Sequence, residues 1–340
     1  MRKEECSLST KQKVDKNLQR AAKEAVLSVH YSGDVGHKLQ RRTWEARFPG
    51  ELATKATEQT ELISLNSSTY PKTCAEIDAK LQPLLTSHVL GGTPVELGQY
   101  PHMVAIGLQN DDSTLEYNCG GSLIAKSFVL TAAHCLTTRE PPVRVRMGVV
   151  NFNDSEQMKN AVEIGVKRTH LHPDYNSSKF YNDIGVVELQ SDVEYSTNVY
   201  PTCLYTEPEN PPNSSKLYVS GWGVIDTLTR DNSNVLLRAR QEIVDNSRCN
   251  GSYAETGLNR RIPVGIISTQ LCAHDRSMTR DASQGDSGGP LIMVVDEAVS
   301  KFRIVAVISA GISCGTSTPA IYTRVSSFLD FIESVVWPNL

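Results

Sequence analysis

The chain has 340 residues, 39% apolar and 21% charged, enough to bury a sizeable core and too apolar for wholesale disorder. Its longest apolar runs, Leu291 to Val295 and Ile304 to Ile308, are far too short to span a bilayer as a helix. The net charge of −4 divides unevenly: residues 1–88 carry 14 basic and 11 acidic side chains, whereas 89–340 carry 20 and 27, an acidic body with no electrostatic footing for nucleic acid or an anionic membrane.

The length predicts two packed units, or one large β protein with an appendage. Near the start, Val14, Leu18, Ala21, Ala22, Ala25 and Val29 fall on one face at helical spacing and predict an amphipathic helix, solvated or only partly ordered. From about Gly33 to Ser87 the chain turns polar without a sustained period and reads as a linker. After Val89 short apolar runs predict strands at Met103–Leu108, Ser122–Leu130, Val143–Met147, Ile184–Leu189, Leu217–Ser220 and Ile304–Ile308. Gly, Pro and Asn clusters separate them, the pattern of an all-β barrel or sandwich. In Ser326–Val336, Phe328, Phe331, Ile332 and Val335 recur at i, i+3, i+4 and i+7 and predict a closing helix.

Eight cysteines, at 6, 74, 119, 135, 203, 249, 272 and 314, form no CxxC or other zinc-type cluster, so a disulfide framework is expected. Sequons at Asn66, Asn153, Asn176, Asn213 and Asn250 agree with secretion. The opening stretch, MRKEECSLSTKQKVDK, lacks the apolar core of a signal peptide, so either the true start lies upstream, which the cysteine framework favours, or the chain stays in the cytosol.

Three short segments carry the chemistry. Leu130-Thr131-Ala132-Ala133-His134-Cys135 ends an apolar strand on a histidine, and Asn182-Asp183-Ile184 sets an aspartate before a buried strand. Each alone has an ordinary structural explanation. Gln284-Gly285-Asp286-Ser287-Gly288-Gly289-Pro290 is different, because a serine among three glycines demands special backbone geometry. A serine hydroxyl becomes a nucleophile when an imidazole takes its proton, and that imidazole needs a carboxylate to fix its tautomer. Backbone N–H groups of Gly285 and Ser287 would then serve the developing oxyanion.

The order His, Asp, Ser with TAAHC, NDI and GDSGGP resembles the chymotrypsin-fold serine proteases from about Val89 to Trp337. YPHMVAIG, YVSGWGV, GIISTQLCA and TPAIYTRVSSFLDFIESVVWP are similar to the insect clip-domain group of snake and persephone. The resemblance implies an all-β fold of two six-stranded Greek-key β-barrels with a C-terminal helix. The barrels would span about 89–205 and 206–325 and the helix about 326–337, after a partly helical or disordered pro-segment over 1–88. It makes His134 the general base, Asp183 its orienter and Ser287 the nucleophile. Asp281 would select Arg or Lys at the base of the specificity pocket, with Ser309, Gly311 and Ala320 around the substrate. Cleavage after His88 would free the Val89 amine to pair with a buried Asp286. Disulfides Cys119–Cys135, Cys249–Cys272 and Cys74–Cys203 are implied, the last tying the pro-segment to the protease. No cofactor and no metal is expected: Val149 stands where calcium-binding relatives have an acidic residue, and His170 and His172 match a surface loop. The implied partners are a protein substrate such as another protease zymogen, a serpin-type inhibitor and an upstream activating protease, in an extracellular cascade of innate immunity.

Four departures accompany the resemblance. Ser283 stands where the cysteine bridged to Cys314 is usual, Ala320 replaces a pocket glycine, and Ala310 replaces an aromatic platform. Only Cys6 and Cys74 precede the protease region, so no complete clip domain is present. Two functions stay open on this basis: an active endopeptidase, or a catalytically weakened homologue that acts as a binding or regulatory partner.

Overall fold

A computed structural model of the chain describes residues 69–81, 95–109, 114–138, 141–223, 232–254, 256, 260–275, 286–311 and 318–338. The helix expected over 14–29 lies outside these residues. So do His88, Val89, Asp281, Ser283, Gly285, Cys6 and Cys314.

Six strands close the first barrel: β1 (Met103–Gln109), β2 (Leu115–Ala125), β3 (Phe128–Thr131), β4 (Pro142–Met147), β5 (Val162–Leu171) and β6 (Gly185–Leu189). Their order around the barrel is β1-β2-β3-β6-β5-β4. The single run expected over Ser122–Leu130 is in fact a hairpin. Ala125 pairs with Phe128 around Lys126 and Ser127, two polar residues that the surrounding apolar side chains disguise in the sequence. Val104, Ile106, Leu123, Val129, Val145, Val186 and Val187 fill the interior and are fully buried.

The second sheet comprises β7 (Cys203–Leu204), β8 (Leu217–Gly221), β9 (Leu237–Val244), β10 (Gln270–His274), β11 (Pro290–Asp296), β12 (Lys301–Ala310) and β13 (Ala320–Arg324). It runs β11-β8-β9-β10-β13-β12-β7, and an additional β11–β12 pairing closes six of its strands into a second antiparallel barrel. β7 adds in parallel beside β12 through Arg303 and Ile304. Leu271, Leu291, Val305, Ala306 and Tyr322 fill its core.

Among the described residues four helices accompany the barrels: α1 (Thr69–Asp78), α2 (Ser155–Lys159), α3 (Asn246–Ala254) and α4 (Leu329–Val336). α4 is the expected closing helix, with a 3₁₀ turn over Val325–Phe328 in front of it, and it seats Ile332 and Val336 in the core. No helix among the described residues is long and apolar enough to cross a membrane.

α1 corrects the reading of 33–87 as linker throughout. Tyr70, Cys74 and Ile77 recur at i, i+4 and i+7, but one apolar face among polar residues is too faint to stand out by periodicity. Tertiary contacts make the helix. Cys74 is bridged to Cys203, Tyr70 packs on Trp337 and donates its hydroxyl to the Leu204 carbonyl, and Tyr200 donates to the Ile77 carbonyl. Asp78, at the end of α1, receives Arg303 Nη2 at 2.5 Å and Lys301 Nζ at 3.0 Å.

Candidate active site

The two barrels meet where the three motifs converge. His134 lies in a 3₁₀ turn, Ala133–Leu136, just past β3. Asp183 precedes β6 at the apex of a tight turn in which the Ile184 N–H donates to the Asn182 carbonyl at 2.9 Å. Asn182 takes φ +54°, a left-handed conformation that Asn tolerates better than most side chains. That turn aims the Asp183 carboxylate inward, where its side chain is 3% exposed.

A carboxylate so buried must be satisfied by donors. His134 Nδ1 lies 2.7 Å from Asp183 Oδ2, and the His134 backbone N–H donates to Oδ1 at 2.8 Å. The Ser309 hydroxyl donates to Oδ2 at 2.5 Å, and Thr323 Oγ1 donates to the Asp183 carbonyl at 2.8 Å. The imidazole itself remains 31% exposed on an anchored ring.

Ser287 is anchored through its backbone. Its carbonyl accepts the Gly120 N–H at 2.8 Å, and the next residue, Gly288, donates to the Ile308 carbonyl at 2.9 Å. Gly288 has φ +78°, and a β-carbon there would meet Thr131 Oγ1 at 2.1 Å, so no other residue fits. Gly120 adjoins Cys119, whose disulfide partner Cys135 follows His134. One covalent loop therefore carries both the Ser287 anchor and the imidazole.

Asp286 is partly buried rather than fully buried as expected. Its Oδ1 accepts the Gly223 N–H at 2.8 Å. A β-carbon on Gly221 would sit 2.0 Å from the same oxygen, and one on Gly223 would sit 2.6 Å from both oxygens. The two glycines of SGWG thus make room for this carboxylate. Nothing in the composition of that motif marks them as its cradle.

Ala320 is buried at the start of β13, Ala310 ends β12, and Gly311 follows it exposed. The three expected disulfides are present: Cys119–Cys135, Cys249–Cys272 and Cys74–Cys203. Among the described residues two groups of side chains have metal-like spacing, Cys119/His134/Cys135 and Cys74/Asp78/Cys203, but in both the sulfurs are spent in disulfides. His170 lies 3.3 Å from Glu188, and His172 sits edge-on between Phe328 and Phe331. Sequence reasoning placed Ser309 at the pocket wall and missed its bond to Asp183. It missed Thr323 altogether, because a lone hydroxyl residue in a strand carries no signal of its partner.

Two antiparallel barrels with a buried Asp–His pair at their junction define the architecture of a chymotrypsin-fold serine protease. The Trypsin family profile matches residues 89–332, and the chain belongs to that family. It is 45% identical over 268 residues to serine protease Hayan of Drosophila melanogaster, covering 78% of this chain and 41% of that protein. It is 35% identical over 255 residues to serine protease snk of the same fly, 73% of this chain and 57% of the relative. With the clotting factor G beta subunit of Tachypleus tridentatus the identity is 33% over 267 residues, 75% and 82% of the two chains. The chain thus spans about two fifths of the length of Hayan and somewhat more than half that of snk.

Proposed function

We propose that the chain is the zymogen of a secreted serine endopeptidase that cleaves after Arg or Lys and acts on another protease zymogen in an extracellular cascade. The observation that carries this reading is the Asp183 carboxylate, buried at the barrel junction and holding His134 Nδ1 at 2.7 Å. Such a pair fixes the imidazole tautomer with Nε2 free to take a proton from Ser287 and return it to the leaving amine. The Ser287 hydroxyl attacks the scissile carbonyl, and backbone N–H groups of Gly285 and Ser287 receive the oxyanion. The acyl-enzyme is then hydrolysed by water activated at the same imidazole. Asp281 would pair with the cationic side chain before the cut. The Val89 amine, once freed, would pair with Asp286 in its glycine cradle.

The cascade setting rests on relatives named as a clotting factor subunit, a phenoloxidase-activating factor, a phenoloxidase-activating enzyme and a CLIP domain-containing serine protease. Serpin-type inhibition and an innate-immune role belong to the same proposal. The test is generation of the form that begins at Val89, followed by turnover on Arg, Lys and neutral peptides and by labelling of Ser287 with an organophosphonate. Absence of labelling in material with a verified Val89 terminus would overturn the catalytic reading.

A second reading, a weakened homologue that acts by binding, is favoured by one observation. Ala320 is buried on β13, so its methyl group takes space that glycine leaves to substrate. Ala320→Gly combined with Ser283→Cys should raise kcat/KM on Arg peptides. No gain from the pair would remove the argument for an eroded pocket.

A further inference from the structure

We propose that Lys179, Arg260 and Arg261 form a cationic ridge that binds an acidic side chain of the protein substrate beside the active site. The proposal rests on the protease reading above and adds to it a second determinant of specificity.

The ridge is built from two loops. The segment leading to Asp183 carries Lys179, Phe180 and Tyr181, and it is tied to residues 260–265 by a set of hydrogen bonds. Phe180 N–H donates to the Arg261 carbonyl at 3.0 Å, Lys179 Nζ to the Arg260 carbonyl at 3.0 Å, and Tyr181 Oη to the Gly265 carbonyl at 2.8 Å. The Arg261 guanidinium lies over the Phe180 ring, 4.2 Å from its centre, and Nη2 donates to the Ser177 carbonyl at 2.8 Å. A guanidinium held by a ring face and one carbonyl keeps its charge and most of its donors. Arg261 Nε is buried without a hydrogen-bond partner.

Among the described residues no carboxylate pairs with Lys179, Arg260 or Arg261, although this part of the chain is acidic overall. Asp174 in the same loop engages His172 and Asn182 through its backbone instead. Three cations with no carboxylate partner among the described residues, on a body of charge −7, favour an anionic visitor.

Their position says which visitor. Phe180 and Tyr181 pack in one cluster with Ala310 of β12. Tyr175 is raised in pKa by burial and feels both the Asp183 and the Arg261 charges, which links the ridge to the triad. β12 pairs with β11 only as far as Val307, with Ile308 bonded to Gly289, so beyond Ile308 that strand edge has no neighbouring strand among the described residues. An extended peptide can add to such an edge by backbone hydrogen bonds, advancing about 3.3 Å per residue. A segment running along Ser309–Gly311 from the reacting carbonyl at Ser287 would pass the ridge within a few residues. An Asp or Glu there would meet Arg260 and Arg261.

The test uses the full chain carrying His88→Arg, cut with trypsin and verified by N-terminal sequencing to begin at Val89. Peptides with Arg before the scissile bond are compared with Glu, Ala or Lys at each of the two to four positions preceding it. At low salt the Glu peptide should be turned over with kcat/KM about fivefold or more above its Lys counterpart, and the ratio should shrink at high salt. Arg260→Glu with Lys179→Glu, both on the accessible part of the ridge, should reverse the order of the two peptides. Turnover without acid preference overturns the ridge while leaving the protease intact. No turnover on any peptide counts against the catalytic reading, and the ridge is then judged by fluorescence anisotropy of labelled Glu and Lys peptides on the same protein. Equal binding of the two overturns it.

Discussion

Ser309 Oγ and His134 Nδ1 share one acceptor: both reach Asp183 Oδ2, at 2.5 Å and 2.7 Å. The second donor matters because the oxygen is buried and would otherwise swing to seek another partner. With Ser309 in place the carboxylate plane, and through it the imidazole, has one orientation. Ser309→Ala should lower kcat about tenfold, with KM changed less, because the loss falls on positioning of the base in the transition state. Asp183→Asn should cost far more, about 10³-fold or beyond, since it removes the tautomer control itself. Steady-state kinetics on an Arg peptide checks both. A Ser309→Ala enzyme as fast as the parent would show that the hydroxyl is only a buried polar group finding a partner.

His102 gives a second prediction, about stability. It is 1% exposed, packs against the rings of Tyr100 and Phe302, and neither ring nitrogen has a hydrogen-bond partner. Burial therefore pushes its pKa down to about 3. The folded protein keeps the ring neutral, whereas the unfolded chain takes a proton below about pH 6.5. The stability contribution is complete above about 6.5 and is lost progressively as pH falls toward 3. At pH 5 the loss is about 2 kcal/mol from this residue alone. Urea titrations at pH 7.5 and 5.0 should show that His102→Phe removes part of the fall in stability. Identical falls for both proteins would contradict this account.

How much of this was legible in the sequence depended on whether the signal was local. Val104 and Ile106, or Val186 and Val187, sit in runs whose apolar content survives any reading frame, so the strands could be placed. His134, Asp183 and Ser287 could be named because each lies inside a short motif. Ser309 and Thr323 reach Asp183 across 126 and 140 residues, and nothing near either one points to it. α1 shows the same limit. Its ten residues make a poor helix alone, and only Cys203, Trp337 and Arg303, far along the chain, make it a stable one.

The docking of α1 yields a third prediction. Asp78 faces Arg303 and Lys301 in a largely buried setting, with side-chain exposures of 16%, 17% and 30%. Removing the carboxylate leaves two cations uncompensated, so Asp78→Ala should destabilise the chain by about 1–3 kcal/mol. The disulfide Cys74–Cys203 acts differently, by restraining the unfolded chain. In a Cys74→Ser chain cleaved at the activation bond, α1 should stay bound at neutral pH and leave only when Asp78→Ala is added. Size-exclusion chromatography of the cleaved proteins reads the outcome. Immediate release of the pro-segment by Cys74→Ser alone would show that the ion pair and the Tyr70 contact do not hold it.

The last prediction concerns the switch from zymogen to enzyme. Trypsin-like proteases cut after Arg or Lys, but the residue before Val89 is His88, preceded by Thr86 and Ser87. At neutral pH an unperturbed imidazole, of pKa about 6.5, is mostly uncharged and offers no standing cation to a carboxylate-based pocket. The nearest upstream basic residue is Lys80. Cleavage there would leave Leu81 as the new terminus, eight residues ahead of Val89. That amine, on a chain eight residues too long, would be misplaced for Asp286. A terminus that does not reach Asp286 should therefore not activate. Self-activation through Asp281 is disfavoured for the same reason. The activator is expected to tolerate His88 or to read the apolar Leu84-Leu85 pair, as a broad-specificity bacterial, fungal or cysteine protease could. Incubation of the zymogen with trypsin and with a broad-specificity protease, followed by N-terminal sequencing and a peptide assay, distinguishes these routes. His88→Arg should create a trypsin-activated enzyme beginning at Val89. Appearance of that terminus and of activity when trypsin acts on the unaltered chain would falsify the prediction.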